Sequence, residues 1–250
     1  MKRAAFPILS LALGASLLGA VRDSTHHVSP AASTRHDGVS SGSIALARVS
    51  AADDPRRPTG DDRTELLRRL KAGERTTYIN EIIVEHDSAL TRWPDRRGVP
   101  LTVWVQPRAN IRDFERALVE SVRSAFDVWD DLHLPVRFAF VDDSAEAEVH
   151  VSWIDHFNEP ISGRTRWARD DDYAITDANI TLAIHHNQGD ELDPESMRAM
   201  ALHEIGHLLG LDHTKDTSSI MAPTVRVREI SAADRATVRL LYTLPAGPVH

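Results

Sequence analysis

The spacing of hydrophobic positions changes along the chain, and each change predicts an element. Residues 62–70 carry a short amphipathic helical pattern that Gly73 stops. Residues 78–90 alternate polar and apolar too weakly to predict an element. Residues 101–106 read Leu-Thr-Val-Trp-Val-Gln between Pro100 and Pro107, a strand. Asn110 is placed to cap a helix, because Ile111, Phe114, Leu118, Val122, Ala125 and Trp129 then recur at helical spacing. Strands are predicted over residues 136–141, 147–154 and 179–184, with an edge strand over 164–168, where outward positions are charged. Asp193 followed by Pro194 is a cap residue and an N1 proline, starting a helix that runs to about Leu209 before Gly210 ends it. A last helix begins at Ser231, with Asp234 as its capping-box partner. It carries Val238, Leu240 and Leu241 inward and stops before Pro245. The order of strand, helix, several strands and two helices predicts an α+β domain, with three main helices on a mixed twisted sheet of about five strands.

Composition adds bounds. Of 250 residues, 42% are hydrophobic and 26% charged, enough for a packed core. A net charge of -8 argues against nucleic acid as a partner, since phosphate binding needs a basic face. With no cysteine, the fold relies on no disulfide, and a metal must be held by His, Asp or Glu. Residues 1–20 read as a signal peptide: Lys2 and Arg3, an apolar run over 4–18, and a small Ala20 at the cut. Pro7 and Gly14 interrupt that run and it is short for a span. The expectation is therefore export, to a periplasmic or extracellular location, without stable membrane insertion. Residues 21–75 begin Ser-, Thr-, Asp- and His-rich and predict a linker or propeptide-like segment, in which His26, His27 and His36 are solvated.

The chemistry concentrates at one place. His203, Glu204, His207, Gly210 and His213 fall in the spacing His-Glu-x-x-His-x-x-Gly-x-x-His. Histidines four apart stack on one helical face and can share a zinc ion, while Glu204 stands at the edge of that face, within reach of a water but not of the metal itself. Gly210 lets the chain turn back and deliver His213 as third ligand. Three neutral nitrogens leave a fourth tetrahedral position for water, as in a catalytic rather than a structural zinc site. Zinc lowers the pKa of water from about 15.7 to roughly 7, and Glu204 is the expected general base.

These residues resemble the zinc motif of the metzincins, whose downstream methionine turn has a counterpart in Ser219, Ile220, Met221, Ala222 and Pro223. Within that group the chain is most similar to matrixins of the short bacterial type. Thr214 follows the third histidine, the segment from Ala125 to Trp129, then Pro135 and Phe138, is similar to that family's first helix and second strand, and Ile230 to Pro245 is similar to its last helix. The resemblance implies a catalytic domain over residues 76–250 with a zinc cleft, Met221 as an apolar floor, and a secreted endopeptidase acting on protein or peptide substrates. Arg164, Trp167 and Pro223 are then candidate substrate contacts, the first two, with Arg166, on an edge strand that an extended peptide can join. The chain departs from the family in two ways. Ala222 stands where matrixins commonly carry a tyrosine, and the cysteine that keeps their zymogens latent is missing. Structural calcium, common in vertebrate matrixins, has a candidate in the run Asp170, Asp171 and Asp172. His150, Asp155, His156, His185 and His186 do not reproduce the family's second zinc spacing.

Two other classes compete: a secreted zinc-binding or adhesion module without turnover, and a zinc hydrolase of non-peptide amides or esters. The intact Glu204 argues against the first, because a module without turnover needs no base. The family resemblance disfavours the second.

Overall fold

The computed structural model describes Ile8–Leu9 and residues 60–86 and 88–249. The rest of the expected leader and linker, including the three linker histidines, lies outside the described residues. No helix among the described residues is long and apolar enough to cross a membrane.

Strand β1 (Ile8–Leu9) pairs with β8 (Thr224–Val225), and β2 (Ala89–Leu90) with β9 (Gly247–Pro248), as two-residue antiparallel ladders. The main sheet has the order β4-β3-β5-β7-β6, from β3 (Leu101–Val105), β4 (Phe138–Phe140), β5 (Val149–Ile154), β6 (Gly163–Arg169) and β7 (Ile175–Ala183). Its first four members are parallel and β6 runs antiparallel along β7, so the sheet is mixed and β6 is an edge, as its charged positions predict. The alternation read from the sequence is a burial alternation in β3 and β5: Leu101, Val103 and Val105, and Val149, Val151 and Trp153, point into the core.

The helices α3 (Arg116–Asp130) and α4 (Pro194–Leu208) pack against each other, and α4 also lies against β6 and β7. The indole of Trp129 donates to the Leu202 carbonyl at 3.0 Å, fixing the two helices in register. At the N-terminus of α4 the Asp193 carboxylate accepts from the Ser196 amide at 2.8 Å, with Pro194 first in the helix. The expected capping box opens α5 (Ala232–Leu241), with Val238 and Leu241 buried and Leu240 half-buried.

Three local expectations change. Asn110 caps nothing: α3 starts only after Glu115, and Asp113 adopts a left-handed φ of 62° that a helix excludes. A long-range contact accompanies that conformation, because Asp113 accepts from the ring of His185, 72 residues away, at 3.0 Å. The weak stretch at 78–90 contains α2 (Ile79–Glu85), whose Ile79 and Ile82 are buried; seven residues are too few to display a period. The helix expected over residues 62–70 is longer, α1 (Gly60–Gly73), and its Leu66 and Leu70 join the core next to α5.

Candidate metal centre

The end of α4 explains how the third histidine is delivered. After the C-cap Leu209, Gly210 has φ 92°, its amide donates to the His207 carbonyl, and the Leu211 amide donates to the Gly206 carbonyl. This pair of bonds is a Schellman turn, which needs a left-handed residue. Gly210 is required on a second ground: a Cβ there would overlap the Thr91 carbonyl oxygen. The carbonyls that the helix end leaves without intrahelical partners are satisfied by side chains. Trp93 Nε1 donates to Leu208 at 2.9 Å and the Tyr242 hydroxyl to Leu209 at 3.2 Å.

Beyond the turn the chain runs back past the helix, and the imidazoles of His203, His207 and His213 converge. His203 Nε2 is 3.0 Å from His207 Nε2 and 3.3 Å from His213 Nε2. Among the described residues this is the one group of three or more His, Asp and Glu side chains able to hold a metal ion, its ligand atoms all within 4.8 Å of one another.

The hydrogen bonds decide the tautomers. His203 Nδ1 lies 2.6 Å from the Ile220 carbonyl and His207 Nδ1 lies 2.9 Å from that of Leu211. A carbonyl only accepts, so both Nδ1 atoms carry the proton. Burial pushes the pKa of His203 well below the usual imidazole value of 6.5, with the neighbouring histidines adding to it. Burial and then His213 bring His207 down to about 4, and burial also lowers His213. The neutral form leaves an Nε2 lone pair on each of His203 and His207, aimed at the other across 3.0 Å. Two lone pairs facing each other repel. A cation between them resolves that arrangement, so this donor set fits a zinc ion.

The methionine turn braces the histidines from below. Met221 is fully buried with its sulfur against Gly206, where a Cβ would overlap it, and its carbonyl accepts from the Thr214 amide at 3.0 Å. Buried Asp234 holds the turn in place. Its carboxylate accepts from the Ser219 hydroxyl, the Ile220 amide at 3.1 Å, the Ser231 amide at 2.6 Å and the Tyr78 hydroxyl at 3.0 Å. One carboxylate therefore joins α5, the turn and the segment before α2, and it fixes the residue whose carbonyl orients His203. The sequence reveals Asp234 only as a cap; its reach to Ser219 and Tyr78 depends on packing.

Glu204 is fully buried, with its carboxylate Oε2 2.7 Å from the hydroxyl of Thr165 on β6. Nothing in the local sequence singles out Thr165, which lies 39 residues upstream. A second set of contacts ties α2 and the residue after it to the loop that carries His213. Glu81 accepts from the Thr214 hydroxyl at 3.2 Å and the Lys215 amide at 3.0 Å, and His86 pairs with Asp212 at 2.9 Å.

The remaining candidates are less uniform. Arg164 lies over the Phe157 ring at 4.9 Å and pairs with Glu159 at 3.1 Å. Trp167 is half-buried 6.3 Å from the His86 ring, while Arg166 and Pro223 are exposed. Asp170, in the turn between β6 and β7, accepts from the amides of Asp172 and Ala174 at 3.0 and 2.8 Å, so one carboxylate of the acidic run serves the hairpin. His185 is buried between Asp155 at 2.8 Å and Asp113 at 3.0 Å, and His150 is bonded to the Ser144 carbonyl at 2.9 Å.

Comparison with known proteins matches the sequence that carries this geometry to a family. The chain is 31% identical to Metalloendoproteinase 1-MMP of Arabidopsis thaliana over 133 residues, covering 48% of this chain and 36% of that protein. It is 33% identical to Metalloendoproteinase 1 of Glycine max over 91 residues, covering 35% and 28%. To Matrix metalloproteinase-C of Caenorhabditis elegans it is 38% identical over 68 residues, covering 27% and 10%. The matches thus span little more than a third, at most, of these relatives' length. The family model for matrixins matches residues 92–243, the span from the strand region through the three histidines to the end of α5, and the chain belongs to the matrixin family.

Proposed function

We propose that the chain is an exported zinc-dependent endopeptidase that hydrolyses peptide bonds in protein or peptide substrates. The observation that carries this reading is the converging set of Nε2 atoms on His203, His207 and His213, two of them fixed in tautomer by backbone carbonyls, with Glu204 next to His203 on the same helix. When bound, zinc supplies a Lewis acid that makes water nucleophilic at neutral pH.

The chain's own residues supply the rest. His203, His207 and His213 would hold the ion, and Ile220, itself held by Asp234, keeps the first of them oriented. Glu204 takes the proton of the attacking water and returns it to the leaving amine. Among the described residues β6 is an edge strand that an extended peptide can join, with Arg164, Arg166 and Trp167 along it and Pro223 in the methionine turn as candidate contacts. Export rests on the pattern of residues 1–20.

Glu204→Gln removes the base but no ligand. The variant is expected to bind zinc like the wild type while turnover falls by about a hundredfold or more. A variant that still cleaves at the wild-type rate overturns the role of Glu204.

A further inference from the structure

Two inward positions of the edge strand face one side chain. Residues 163 and 165 lie on the same side of β6, as strand alternation requires, and both meet Glu204. The Thr165 hydroxyl is buried, 2.7 Å from Glu204 Oε2 and 2.9 Å from the backbone carbonyl of the same residue. The single hydroxyl proton is therefore shared between the side chain and the main chain of Glu204 as a three-centre bond, which restrains the carboxylate. Two residues earlier, any Cβ on Gly163 would overlap Oε1 and the carboxyl carbon of Glu204. The carboxylate lies in the space that the missing side chain opens.

From this geometry we infer that β6 sets the rotamer of the base. Thr165 is a positioning residue acting through Glu204, and Gly163 supplies the clearance. The inference rests on the proposed role of Glu204 and goes beyond it by making one strand responsible for two tasks. Its outer edge has no strand partner among the described residues and can take an extended peptide, and its inner face aligns the group that activates water. Thr suits this position because its branched Cβ restricts χ1, which keeps the hydroxyl aimed. Valine has the same shape and the same stiffness without the hydrogen bond. Serine keeps the hydroxyl.

The test compares wild type, Thr165→Val, Thr165→Ser and Gly163→Ala in the full chain. It reads zinc stoichiometry, melting temperature, kcat and KM on one fluorogenic peptide, and crystal structures of the zinc-loaded wild type and Thr165→Val. Thr165→Val is expected to keep zinc and to lose about tenfold to a hundredfold in kcat, with KM within about twofold, the pattern of a misplaced catalytic group. Thr165→Ser restores kcat to within about threefold, Gly163→Ala lowers it through displacement of the carboxylate, and Glu204 changes rotamer in the Thr165→Val crystal. A wild-type kcat in Thr165→Val overturns the inference. So does equal loss of kcat and melting temperature in both Thr165 variants, the outcome of a purely structural role. If the wild type cleaves no peptide when zinc-loaded, the proposed function fails by itself. The crystal structures then decide the positioning, and an unchanged Glu204 rotamer in Thr165→Val overturns it.

Discussion

The behaviour of His203 and His207 follows from two facts about each ring: it is buried, and its Nδ1 is committed to a carbonyl. Burial keeps the imidazole neutral and the carbonyl selects the tautomer, so each ring has a fixed lone pair at Nε2. A consequence at this scale is a pH dependence in the metal-free protein. His207 has a folded pKa of about 4 against the usual 6.5, and His203 is lowered as well. Between those values the unfolded chain binds more protons than the folded one, so stability rises with pH. The chelated protein is expected to lose melting temperature steadily as pH falls from 6.5 towards 4, by scanning calorimetry. A flat or rising trend contradicts the assignment. Gly210 gives a second residue-level prediction. Alanine there must adopt φ 92° and overlap the Thr91 carbonyl, so Gly210→Ala is expected to destabilise the fold by about 2 kcal/mol or more in denaturant titration.

What the sequence discloses at the scale of elements depends on whether the signal is local. The helix α4, its Asp193 cap, its glycine stop and the histidine spacing are all written within about twenty residues, and the structure has the helix, its cap and its stop where the pattern predicts. The capping box at Ser231 is equally local. Elements and roles set by distant partners are not legible in this way. Asp113, left-handed and bonded to His185, interrupts the apparent helical period, α2 is too short to show a period, and Thr165 becomes notable only when β6 packs on α4. Asp234 shows both cases at once: its cap is legible and its bonds to the methionine turn are not. Asp234→Ala would leave the Tyr78 hydroxyl, the Ser219 hydroxyl and two amides without their acceptor in a buried site. It is expected to cost about 3–5 kcal/mol and to weaken zinc binding through His203, both measurable by denaturation with and without zinc.

Across the whole molecule, the segment before the matched family region is built into the centre. Tyr78, Ile79, Ile82 and Leu90 are buried, and Glu81 and His86 reach the ligand loop. Leu66 and Leu70 of α1 extend this packing onto α5. The boundary proposed near residue 75 therefore has a testable stability cost. A chain beginning at residue 76 is expected to fold but to melt several degrees lower, since two leucine side chains lose a burial of about 1.5–3 kcal/mol each. An unchanged melting temperature would mean that α1 contributes nothing to the domain.

In the proposed function, peptide cleavage depends on zinc held by three histidines, with Glu204 as the base. The most direct measurement is cleavage of a peptide library by the purified protein, before chelation, after chelation and after zinc is returned, with Glu204→Gln in parallel. Cleavage is expected to be abolished by chelation and restored by zinc, and to fall by about a hundredfold or more in zinc-loaded Glu204→Gln. Cleavage that survives chelation, or that Glu204→Gln performs at the wild-type rate, contradicts that function.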